Sequence, residues 1–133
     1  EMARKKRQSK LNFPFTAMPK HITRSDAWFS CRPAARLIWF AVLERFDGAN
    51  NGAISLSVRE AAKYAGCSPN TAGRMFNELI DAGLLICSQT SSFNSGKRLA
   101  RLWELTHLPK EGKAATNLWK SVSAKASSKR DTI

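Results

Sequence analysis

From Ser57 to Leu85 the chain reads SVREAAKYAGCSPNTAGRMFNELIDAGLL, and this stretch packs two helix starts around one stop so tightly that few folds accept it. Ser57 and Glu60, three positions apart, form a capping box in which each side chain satisfies an orphan backbone N–H at a helix start. Val58, Ala61, Ala62 and Ala65 recur at helical spacing, and Gly66 suits the left-handed conformation that ends a helix. Only Cys67 separates that glycine from Ser68, a favoured N-cap, and Pro69, whose fixed φ and missing N–H suit the first helical position. A second helix must therefore begin almost at once. Ala72, Met75, Phe76 and Leu79 give it an apolar stripe, and Gly83 closes it before the strand-like run Leu84, Leu85, Ile86, Cys87.

Two short helices joined by a tight turn, with a strand after the second, form the helix-turn-helix layout. The run GCSPNTAGRMFNELIDAGLL resembles the Gly-x-Ser-x-x-Thr-x-x-Arg-x-Leu-x-x-Leu-x-x-x-Gly-Leu pattern of bacterial winged helix-turn-helix regulators. The similarity spans roughly the middle half of the chain. Phe76 stands where the pattern most often has Leu, and Cys67 where it has Val; both are apolar exchanges a core accepts. The resemblance implies an α+β fold: a winged helix-turn-helix with a three-helix core, a small antiparallel sheet and a β-hairpin wing. It also implies a recognition helix over residues 68–82 that enters the major groove of double-stranded DNA. Pro69, Asn70, Thr71 and Arg74 match the pattern's DNA-contacting positions. Asn70 has the amide to pair with adenine N6 and N7, and Arg74 the fork for guanine O6 and N7 or a phosphate. Thr71 offers a methyl and a hydroxyl, suited to thymine or a phosphate. Ser68, Gly73 and Asn77 are expected at the sugar–phosphate backbone, Gly73 because it lacks a side chain where the helix comes close, with Arg59 and Lys63 of the preceding helix adding charge.

The charge agrees with a polyanionic partner. Lys and Arg total 22 against 10 Asp and Glu, a formal charge of +12 and a pI near 10.3, so nucleic acid is the expected partner and an anionic membrane the next. No apolar stretch approaches the ~20 residues of a membrane span, and no signal-peptide core is seen, so a cytoplasmic, nucleoid-associated protein is expected. Cys31, Cys67 and Cys87 are odd in number, widely spaced and set among apolar residues, which reads as reduced core thiols. His21 and His107 lie far apart in sequence and no metal-ligand spacing occurs, so no metal site is expected. With no nucleophile elbow, no phosphate loop and no acidic cluster, the chain is read as no enzyme, with no catalytic residue, no cofactor and no small-molecule ligand.

Along the chain, three regions are expected: 1–20, a basic arm and docking segment; 21–109, the folded domain; and 110–133, a basic tail, disordered or short-helical. Glu1 ahead of Met2 reads as a residue left by a cleaved tag. Arg4, Lys5, Lys6, Arg7 and Lys10 form an arm for phosphates or a minor groove, or else a solubilising tail. Leu11 to Pro19 holds Phe13, Phe15, Met18 and two prolines, too apolar to float, and is expected to dock on the domain. Ser25 is expected to cap a short turn bearing Trp28 as a core anchor. Pro33 to Phe46 reads as a long helix with Ala35, Ile38, Trp39, Val42 and Phe46 inward, although Arg32 is a poor cap for it. Phe40, with Leu37 beside it, falls on its polar face; either the Phe13–Phe15 segment or a second protomer covers it, with the first preferred. Ile54 and Leu56, alternating with serines, are expected to form a first strand. Strands at 84–88 and 99–106, joined through Asn94, Ser95 and Gly96, form the hairpin, with Trp103 and Leu105 inward and Lys97, Arg98 and Arg101 as the wing's DNA contacts. After Pro109 the composition shifts to Lys, Ala, Ser and Thr, and the core is expected to end. Leu118 and Trp119 there either dock back or, with Leu37 and Phe40, pair two protomers in a homodimer.

The leading expectation is a sequence-specific DNA-binding protein acting as a bacterial transcriptional regulator. The alternatives are an accessory factor of a mobile element, serving plasmid replication initiation or excision, and a protein-interaction module on the same scaffold.

Overall fold

The computed structural model describes residues 12–90, 92–94, 97–99 and 101–122. Among them the order is α1 (Lys20–Thr23), α2 (Asp26–Ser30), α3 (Pro33–Glu44), β1 (Ile54–Ser55), α4 (Val58–Ala65), α5 (Pro69–Asp81), β2 (Leu85–Gln89), β3 (Ser92–Asn94), β4 (Lys97–Leu99), β5 (Leu102–Leu105) and a 3₁₀ turn, Leu118–Ser121. The protein is α+β.

Local chemistry accounts for most of these boundaries. The Ser25 side chain accepts from the Trp28 N–H at 3.2 Å to start α2. In α4, Ser57 Oγ accepts from the Glu60 N–H while Glu60 Oε1 accepts from the Ser57 N–H, both at 3.1 Å, completing the capping box. Gly66 then takes φ 70°, ψ 37°, and Cys67 donates back to the Ala62 carbonyl at 3.0 Å. Ser68 caps α5 by accepting from the Thr71 N–H at 3.2 Å, with Pro69 in the first turn.

Helices α3, α4 and α5 pack on one another and on a three-stranded antiparallel sheet of order β1-β5-β2. Ile54 pairs with Trp103 and Leu85 with Leu105, so strand alternation sends Trp103 and Leu105 inward as the sequence predicts. Phe76 of α5 stacks on Trp103, ring centroids 4.2 Å apart and planes 8° from parallel, and the indole N–H of Trp103 donates to the Leu56 carbonyl at 2.9 Å. Ile38, Trp39 and Val42 of α3 and Leu79 of α5 complete this centre, all fully buried. Removing one such large side chain from a close-packed core costs on the order of 2–5 kcal/mol.

Several expectations are corrected. Helix α3 stops at Glu44, and Phe46 stays half-buried against the core beyond its end. The expected strand 84–88 is β2, Leu85–Gln89, with a register shift against β5 between Cys87 and Gln89, whereas the expected strand 99–106 falls across β4 and β5, and β3 pairs separately with β4, Ser92 opposite Leu99 and Asn94 opposite Lys97. Phe13 and Phe15 are 58% and 54% exposed, yet Phe15, Thr16, Ala17 and Pro19 line one cavity with Leu43, Phe46 and His107, so the segment lies along the domain without burying its phenyl rings, and Phe40 is not part of that lining. Trp28 is half-buried, edge-on to Trp39 at 5.4 Å with the Arg36 guanidinium 5.9 Å over its ring.

The packed unit runs past Pro109, where the change of composition had placed its end. Trp119 is buried in the core cluster and lies beside His21, centroids 5.4 Å apart, so it is not a free interface residue, while its neighbour Leu118 stays exposed. The physical reason is a seat at Gly83. That residue has φ 75°, and a Cβ on it would stand 2.6 Å from the Leu118 carbonyl carbon. The turn after α5 is thus bare enough for the 3₁₀ segment to lie directly on it.

Candidate nucleic-acid interface

Helix α5 is fixed from behind and open in front. Ala72, Met75, Phe76 and Leu79 are buried, which turns Pro69, Asn70, Arg74 and Asn77 to solvent. Ser68 is exposed at the cap, and Thr71 and Gly73 sit half-buried on the two flanks. All seven sequence-predicted residues of this helix and its cap are therefore on one continuous leading surface. No acid occurs from Ser68 to Asn77; Glu78 turns inward and Asp81 lies at the far end. The positive end of the helix and the Arg74 charge thus face outward unopposed.

Within this edge the side chains bond to one another. Ser68 Oγ donates to Thr71 Oγ1 at 3.0 Å, and Arg74 Nη2 donates to the same oxygen at 3.4 Å. Among the described residues, nothing within 4 Å would meet a Cβ on Gly73.

On α4, Arg59 and Lys63 are exposed and make no ion pair among the described residues. Glu60, between them, is occupied: it accepts from the Ser57 backbone and from Arg45 Nη2 at 3.0 Å, and Arg45 also donates to the Ser55 carbonyl at 2.8 Å. The Ser57 N–H first and the Arg45 side chain next hold the Glu60 carboxyl below the usual range.

Arg101 lies half-buried at the base of the hairpin, with its Nε buried and without a hydrogen-bond partner among the described residues. Its carbonyl accepts from the Leu56 N–H at 3.4 Å, which ties the hairpin base to the entry of α4. Lys97 and Arg98 fall in β4, opposite Asn94 and Phe93. The arm residues Arg4, Lys5, Lys6, Arg7 and Lys10 lie outside the described residues. Leu37 is 46% exposed and Phe40 half-buried on the outer side of α3, away from this surface.

Sequence reading missed the residues that hold the site from inside. Glu78, its side chain 10% exposed, accepts from the Arg32 backbone N–H at 3.0 Å and pairs with Arg32 Nε at 3.4 Å. The one available signal was a carboxylate set among Met75, Phe76 and Leu79. Asn51 is also buried: its Oδ1 accepts from Leu105 N–H at 2.7 Å, and its Nδ2 lies 3.0–3.1 Å from the carbonyls of Leu105, Leu108 and Pro109.

His21 and His107, remote in sequence, meet with centroids 6.3 Å apart, and His107 also faces Trp39 at 5.4 Å. Burial first, and the nearby His21 second, lower the His107 pKa to about 4. No cluster of three metal-ligating side chains occurs among the described residues, and among them no helix is long and apolar enough to cross a membrane. Compared with known proteins, the chain matches no family model, no curated protein and no solved structure at a significant level.

Proposed function

We propose that this α+β unit is a winged helix-turn-helix that binds double-stranded DNA in a sequence-dependent way, with α5 in the major groove and the β3–β4 hairpin as the wing. The observation that carries the reading is the leading edge of α5: Pro69, Asn70, Arg74 and Asn77 stand exposed on a helix whose opposite face is locked into the core, with no acid before Glu78. A rigid helix end of this kind can present an amide and a guanidinium to base edges without first paying to order its backbone. The overall charge of +12 supplies the attraction to phosphate that brings the helix there.

Division of labour follows from position. Asn70 and Arg74 meet bases, with Arg74 on guanine or a phosphate; Asn77 and the exposed Arg59 and Lys63 meet the backbone. Control of transcription is the role this binding serves, by occupancy of a promoter; a footprint at an origin or attachment site instead would assign it to replication or excision.

Selection of duplexes from a random pool, followed by fluorescence anisotropy on the selected and a scrambled duplex at fixed salt, tests the reading. Arg74→Ala is expected to lose about 1–3 kcal/mol on the selected duplex only, and Lys63→Ala to weaken both alike. Equal, sequence-independent losses for the two variants would remove the base-reading role of Arg74, and no association even in dilute buffer would remove DNA as the partner.

A further inference from the structure

We propose that Thr71 is a positioning residue, one that holds the Arg74 guanidinium over the first turn of α5 rather than reading a base itself. The proposal rests on the DNA-binding reading above and assigns a mechanism of specificity to the same surface.

Three hydrogen bonds make up the chain. Ser68 Oγ already accepts from the Thr71 N–H at 3.2 Å, which leaves its hydroxyl hydrogen to donate to Thr71 Oγ1 at 3.0 Å. A guanidinium has donors only, so at 3.4 Å Arg74 Nη2 is the second donor to that oxygen. With Ser68 as donor, both lone pairs of the Thr71 hydroxyl are engaged and only its hydrogen is left for anything outside. The backbone cap thus extends through Ser68 and Thr71 to the arginine.

Three further features agree. Thr71 is half-buried on the flank of α5, while Asn70, Arg74 and Asn77 occupy the outermost line. A β-branched side chain is stiff about χ1, so its oxygen is a fixed anchor. No carboxylate competes for Arg74: Glu78 bonds the start of α3, and Arg74 makes no ion pair among the described residues. A long side chain tethered in this way loses less freedom on binding, and its fork arrives already aimed at the groove.

The test uses the full chain in two settings. Without DNA, the Arg74 side-chain Nε–H is followed by ¹⁵N relaxation: it is expected to be ordered in the wild type and in Thr71→Ser, and mobile in Thr71→Val, whose shape is the same but which lacks the hydroxyl. With DNA, Thr71→Val is expected to bind the selected duplex about fivefold more weakly while the scrambled duplex changes less than about twofold, Thr71→Ser recovers wild-type affinity, and Thr71→Val adds nothing to Arg74→Ala. An unchanged Arg74 signal in Thr71→Val, a serine variant as weak as the valine one, or independent losses in the double variant would each overturn the proposal. Ordered Arg74 in a wild type that binds no duplex would remove the DNA-binding reading, and the proposed role with it, while leaving the tether itself in place.

Discussion

Helices α3 and α5 begin in opposite ways. Helix α5 caps itself with Ser68, three residues from the N–H it serves. Helix α3 follows Arg32, whose side chain caps nothing, and its start is held by Glu78 of α5 instead. The two are thus coupled in one direction: the leading end of α5 is capped from within its own sequence, while its later half supports a neighbour. The exposed helix start is capped by its own sequence, and the start of α3 is held by a largely buried carboxylate from another helix.

The largest break in this asymmetry is Glu78→Ala, which strands the Arg32 N–H and is expected to cost about 2 kcal/mol in chemical denaturation, whereas Glu78→Gln keeps an acceptor and costs less than about half of that. Acid acts on the same supported side. The folded His107 pKa of about 4 lies below its ordinary 6.5, so the unfolded chain takes up a proton that the folded one refuses. This stability is complete above pH 6.5 and is lost as pH falls from there toward 4; the melting temperature is expected to drop over that window, with a shallower slope in His107→Gln. On the self-sufficient side, Ser68→Ala is expected to cost about 1 kcal/mol, with the loss in amide protection confined to the first turn of α5 and none at α3. The smallest effect has the opposite sign. Gly73→Ala places a methyl in open space and is expected to stabilise the fold by roughly 0.5–1 kcal/mol while weakening DNA binding, so tighter binding by this variant would contradict close approach of a DNA strand at Gly73.

This contrast also marks what the sequence could disclose. The capping box of Ser57 and Glu60, the left-handed Gly66 and the caps at Ser25 and Ser68 all act within a few residues, so spacing alone reveals them. Strand alternation likewise placed Trp103 and Leu105 inward. The bonds from Glu78 to Arg32 and from Asn51 to Leu105 join residues 46 and 54 positions apart, and no local pattern encodes them. Apolar content misled at both ends of the domain. Phe13 and Phe15 remain more than half exposed, while Ile22 and Ala27, in a more polar stretch, are fully buried. Trp119 sits in a polar, lysine-bearing stretch and is nonetheless in the core, because the vacancy it fills exists only after Gly83, His21 and His107 have come together. On the leading edge of α5 the residue types were readable, but the sharing of one Thr71 oxygen by Ser68 and Arg74 depends on rotamers that spacing does not specify.

The seat of Leu118 on Gly83 has a consequence for how the molecule is made. As the chain emerges from the ribosome, residues 69–83 appear well before Leu118 and Trp119, so until those arrive the turn at Gly83 and the face of His21 that Trp119 covers are open to water. Synthesis of α5 and the closing of the turn behind it are separate events in time, and a nascent chain halted between them would carry that helix on a support not yet closed.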